Sequence, residues 1–102
     1  MYSRSSTSTA ALANLAQETL SVPATDITSY SDDAAGLDEL LARQDISAVI
    51  IVLPLTHQPD IVLKALKAGK HVLSEKPVAK DVESALNLIK TYESELVTFA
   101  CL

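Results

Sequence analysis

The 102-residue sequence holds a single cysteine, Cys101, so no disulfide can close within the chain, and a reducing, cytoplasmic setting is the expectation. Basic residues are the scarcer charge, 8 Lys and Arg against 13 Asp and Glu, for a net charge of −5. That balance argues against the basic footprint that nucleic acid or an anionic membrane surface requires. Long apolar runs are also missing. The longest, Ala48 to Leu53, falls far short of the roughly 18 residues needed to span a bilayer. The start Met1-Tyr2-Ser3-Arg4-Ser5-Ser6 has no secretory apolar core. No His, Cys and Asp cluster has metal-ligand spacing, and no Ser-His-Asp arrangement can be argued. What remains is ordinary globular material, 48% hydrophobic and 21% charged, enough for one small domain with a modest core.

Helix-period and strand-like segments alternate along the chain. Leu12, Leu15, Ala16 and Leu20 recur at three- and four-residue steps and predict a helix from Thr7 to Leu20. Ile27 to Tyr30 alternates enough for a short strand, and Leu37, Leu40 and Leu41 mark a two-turn helix from Gly36 to Arg43. Ser47 to Leu53 is apolar at every position from Ala48 on and rich in branched residues, which predicts a strand buried on both faces. Pro59 in the first turn and Gly69 just past the end bracket the next helix, with Ile61 or Val62, Ala65 and Leu66 inward. His71 to Ser74 reads as another strand, with His71 partly buried. Asp81 then caps a longer helix whose Val82, Ala85, Leu86, Ile89 and Tyr92 follow the 3.6-residue period down to about Leu96, and Val97 to Cys101 reads as a last strand. Short apolar strands alternating with helices predict βαβ units and a parallel sheet covered on both faces.

In open α/β sheets, ligands bind beyond the carboxyl ends of the strands. Three segments therefore stand out: Tyr2-Ser3-Arg4-Ser5, Pro54-Leu55-Thr56-His57-Gln58-Pro59 and Ser74-Glu75-Lys76-Pro77. The stretch Ala68-Gly69-Lys70-His71-Val72-Leu73-Ser74-Glu75-Lys76-Pro77 resembles the signature of the Gfo/Idh/MocA oxidoreductases. The resemblance runs from Tyr2 to about Ala100, in that family's order of elements. It implies an α/β fold, a doubly wound parallel sheet of the Rossmann type, with residues 1–102 forming part of an NAD(P)-binding domain. It further implies a small-molecule substrate, a sugar, polyol or related hydroxyl or carbonyl compound, and leaves homo-oligomer formation open. Carried over, Glu75, Lys76 and Pro77 border the nicotinamide ribose, with Lys76 as the catalytic residue and Pro77 fixing the turn, where a cis peptide is available to it. Leu53 and Pro54 offer an apolar and backbone surface to the cofactor, and Thr56 a minor contact. The segment departs from the family at Leu55, where an Asn is usual, and at Thr56 and Gln58, which align with the family's histidine positions. His57 is offset from those positions and reads as solvent-facing. Ser3, Arg4 and Ser5 match the end of the second Rossmann strand. Their lack of an acid and the Arg fork favour NADP over NAD. Cys101 has no basic neighbour in sequence, so a packing role is expected for it rather than a reactive one.

The family's GxGxxG fingerprint is not found, since the only glycines are Gly36 and Gly69. Matched in order, Met1 falls at the end of the second strand. The expectation is an incomplete sheet lacking the first strand and helix, with two strands on one side, three on the other and unpaired edges between. The family's C-terminal catalytic domain is likewise unmatched. The chain then reads as the nucleotide-binding part of an oxidoreductase, inactive as this fragment, with an internal Met taken as the start. A non-catalytic nucleotide-sensing regulator of the same fold, or a truncated product with no function of its own, are the alternatives.

Overall fold

In the computed structural model, residues 1–33, 36–94 and 98–101 are described, and they fall into two compact units, Met1–Arg43 and Gln44–Leu102. The first unit opens with β1 (Tyr2–Ser3), followed directly by α1 (Ser6–Leu20), then β2 (Tyr30–Ser31) and α2 (Leu37–Ala42). A 3-10 turn, Ala24–Asp26, and not a longer strand, lies in the connection before β2. The strand predicted over Ile27 to Tyr30 is thus displaced to Tyr30–Ser31, where the backbone meets β1. The two strands pair in parallel, Tyr2 with Tyr30 and Ser3 with Ser31.

α1 starts because Ser5, in extended conformation, accepts a hydrogen bond from the Ser8 amide through its side chain. Its buried face is Thr9 and Ala13, while the periodic leucines Leu12, Leu15 and Leu20 are 44, 58 and 69% exposed. The reason lies in close approach. The Thr9 hydroxyl bonds both the Ser5 and Tyr30 carbonyls, so this face, small and β-branched, is the one that lies against the strands. α2 behaves as expected, with Leu40 and Leu41 buried and Asp38 and Glu39 in its first turn, favourable to the helix dipole.

The second unit contains β3 (Ala48–Ile51), α3 (Gln58–Lys67), β4 (His71–Ser74), α4 (Val82–Ser94) and β5 (Phe99–Cys101). Its sheet runs β3-β4-β5, all parallel, separate from the β1-β2 sheet. The expected division into two and three strands is therefore observed. Val62, Ala65 and Leu66 of α3 are fully buried, and Gly69 at φ +72° turns the chain from α3 into β4. β4 is central, with Val72 and Ser74 buried.

One expectation fails here, and α4 shows the same pattern. β3 is an edge strand, and only Ile51 of it is buried, while Ile50 and Val52 are 74 and 70% exposed. α4 packs on α3 through buried Leu88, with Ala85 and Tyr92 half-buried, whereas Val82, Leu86 and Ile89 are exposed. Both elements have two apolar faces, and among the described residues only one face of each is covered. His71 is exposed rather than partly buried, its Nδ1 accepting the Thr98 amide at 2.8 Å. Cys101 is exposed as well, so the packing role expected for it does not hold. The strand predicted from Val97 is observed from Phe99, whose ring lies 6.2 Å from Tyr92; Leu96 and Val97 are outside the described residues. No described helix is long and apolar enough to cross a membrane.

Candidate functional site

The carboxyl ends of β3 and β4 are joined by one side chain that the sequence did not single out for a role. Gln58, the first residue of α3, is only 2% exposed. Its Oε1 accepts the Leu53 amide at 3.3 Å, and its Nε2 donates to the Glu75 carbonyl at 2.6 Å and the Pro77 carbonyl at 3.2 Å. The amide group thus uses one acceptor and two donors to tie the turn after β3 to the Glu75-Lys76-Pro77 turn after β4. The Pro54 carbonyl accepts the His57 and Gln58 amides, closing the entry to α3. Leu53 is half-buried and Pro54 and Thr56 are exposed. A glutamine in a polar turn reads as solvated; only its alignment with a family histidine position could have flagged it.

The Glu75 amide continues the ladder by donating to the Ile51 carbonyl, so the turn begins as soon as β4 ends. The Lys76-Pro77 peptide is cis. Lys76 is exposed and Glu75 half-buried, leaving an ammonium presented at the strand end on a turn whose carbonyls are held from below. Just before it, Ser74 is buried, and its hydroxyl has no hydrogen-bond partner among the described residues. The sequence-predicted residues Leu53, Pro54, Thr56, Glu75, Lys76 and Pro77 all lie at the ends of two adjacent strands of one sheet, in register from Ile51 and Ser74.

Ser3, Arg4 and Ser5 belong to the first unit, at the corresponding end of β1. Ser5 is occupied as the cap of α1, its hydroxyl also 2.9 Å from that of Ser8, while Arg4 is exposed. Two acids at the end of β2 line the same turn, and neither was assigned a role from sequence. Tyr2 Oη donates to Asp32 at 2.7 Å, and burial together with that bond pushes the phenol up to about 12. Asp33 accepts the Ser6 amide at 3.1 and 3.3 Å and the Ser6 hydroxyl at 2.8 Å. Hydrogen bonds from Ser31 and from Ser6 hold the Asp33 carboxyl down to about 2. Among the described residues no group of three His, Cys, Asp or Glu could hold a metal ion.

Parallel strands joined through helices, with the polar turns gathered at the strand carboxyl ends, define a nucleotide-binding α/β protein of the Rossmann type. A family model described as an oxidoreductase family with an NAD-binding Rossmann fold, GFO_IDH_MocA, matches residues 2–101, and the chain belongs to that family. Dehydrogenase FPY6 of Fusarium mangiferae is 43% identical over 97 residues, covering 93% of this chain and 26% of the relative. Among solved structures, apo scyllo-inositol dehydrogenase from Lactobacillus casei superposes with a TM-score of 0.71 at 28% identity, over 98% of this chain and 26% of that one. The 3-ketoreductase KijD10 from Actinomadura kijaniata, in complex with TDP-benzene and NADP, gives 0.72 at 26% identity over 98% and 28%. The chain thus spans about a quarter of the length of these relatives.

Proposed function

We propose that this chain is the nucleotide-binding portion of a larger NAD(P)-dependent oxidoreductase of sugar-like hydroxyl or carbonyl compounds, and that it does not turn over substrate by itself. The observation that carries this reading is the Glu75-Lys76-Pro77 turn, held by Gln58 at the end of the central strand with its ammonium exposed. Bound nicotinamide supplies or accepts the hydride. Lys76 positions the substrate oxygen and stabilises the negative charge that develops on it, an effect that strengthens as a closed site excludes water. Glu75 and Pro77 border the nicotinamide ribose. Leu53 and Pro54 provide the apolar surface, and Thr56 a minor polar contact.

Arg4, with Ser3 and Ser5 beside it, receives the adenosine end and favours NADP through a guanidinium fork suited to a phosphate. The NADP in the KijD10 complex supports that reading. A cytoplasmic location fits the single, exposed cysteine. The bare apolar side chains Ile50, Val52, Val82, Leu86 and Ile89 support the view that further polypeptide covers them in the working protein.

Thermal unfolding with and without excess NADPH and NADH tests the reading. A ligand at about 100 times its dissociation constant stabilises the folded form by roughly 2.7 kcal/mol, so a cooperative transition moved upward, more by NADPH than by NADH, is the expected result. A broad transition unmoved by either nucleotide would instead mark the chain as a piece with no function of its own.

A further inference from the structure

The turn between β1 and α1 presents two opposing charges to whatever binds there. Arg4 lies exposed on it, and Asp33 reaches back from the end of β2 to the first residue of α1. The Asp33 carboxylate accepts both the amide and the hydroxyl of Ser6, so the chain's own anion takes the helix N-terminus that would otherwise draw a foreign one. Asp32, engaged by Tyr2, adds a second negative charge on the same side. A phosphate ester placed against Ser3, Arg4 and Ser5 therefore has the exposed Arg4 to attract it and a carboxylate held at the adjoining Ser6 to repel it. A free hydroxyl in the same place carries no charge to be repelled and can donate to a carboxylate.

We infer that Asp33 is a specificity-determining residue for the ribose 2′ position, acting against Arg4 by disfavouring a 2′-phosphate and tolerating a 2′-hydroxyl. The inference rests on the nucleotide-binding reading above. Because Ser31 and Ser6 keep the carboxyl ionised down to about pH 2, the opposing charge is present at every pH at which the cofactor is used. A sequence search confined to Ser3-Arg4-Ser5 finds no acid, since the acid comes from the neighbouring strand, 28 to 30 residues further along.

The test uses the half of the cofactor that carries the difference. The isotope-labelled chain and its Asp33→Asn and Asp33→Ser variants are titrated at low salt with adenosine 2′,5′-bisphosphate and adenosine 5′-monophosphate, followed by amide chemical shifts. Both variants keep an oxygen that can accept the Ser6 amide, and spectral dispersion reports whether each is folded. Removing one negative charge beside the subsite is expected to raise the affinity for the bisphosphate relative to the monophosphate on the order of tenfold. If both probes bind and their ratio does not move, or if both affinities fall together, Asp33 is a helix cap only and the inference is overturned. If the unsubstituted chain binds neither probe, the nucleotide reading itself fails and this inference falls with it.

Discussion

Gln58 and Ser74 show how differently two buried polar residues at one site behave. Gln58 satisfies three backbone groups from two turns, so Gln58→Leu leaves the Glu75 and Pro77 carbonyls and the Leu53 amide without partners. A loss of about 2 to 3 kcal/mol in urea unfolding is expected, the range for orphaning buried polar groups. Ser74→Ala removes a hydroxyl with no partner among the described residues, and the same measurement should find it neutral or slightly stabilising. Asp33 gives a pH signature. Its folded pKa of about 2 lies below the ordinary 3.8, so its contribution to stability is complete above pH 3.8 and is lost as pH falls toward 2. Acid unfolding followed by circular dichroism should therefore show less acid sensitivity in Asp33→Asn than in the unsubstituted chain. Neither Gln58 nor Asp33 was legible as functional from sequence, because each acts on backbone groups brought to it by a different strand.

At the scale of elements, α3 was legible almost completely and α1 and α4 were not. Pro59, Gly69 and one apolar stripe leave α3 a single way to lie on the sheet, and its Val62, Ala65 and Leu66 are buried as read. α4 carries apolar residues on two faces, Ala85, Leu88 and Tyr92 on one and Val82, Leu86 and Ile89 on the other. Periodicity alone does not say which face meets a neighbour. α1 is the same case, with the small face of Thr9 and Ala13 chosen over the leucines by hydrogen bonding to Tyr30. The assignment for α4 is checkable by substitution. Leu88→Ala is expected to cost about 2 to 5 kcal/mol, as for a fully buried leucine, while Leu86→Ala should stay within about 0.5 kcal/mol.

For the whole molecule, what the sequence showed best was the order of elements and the split into two sheets. What it could not show was that the continuous run Ala48 to Leu53 would lie at an edge. The Ser47 and Ile51 carbonyls bond to β4, so strand alternation turns the backbone groups of Ala48, Ile50 and Val52 outward, alongside the bare Ile50 and Val52 side chains. Such an edge, with no charge or proline within it, is a template for pairing. Light scattering should find concentration-dependent association of the chain, weakened by Ile50→Lys with the folded transition retained; association unaffected by that substitution would place the contact elsewhere.

Whether the ends of β3 and β4 form the nicotinamide end of a cofactor site, as proposed, is decided by mapping amide shifts on titration with NADPH. The largest changes are expected on Leu53, Thr56, Glu75 and Lys76, with Ser3 to Ser5 responding to the adenosine end, and Lys76→Met is expected to change the nicotinamide-end response alone. Shifts scattered over other surfaces, or none at any concentration, would contradict it.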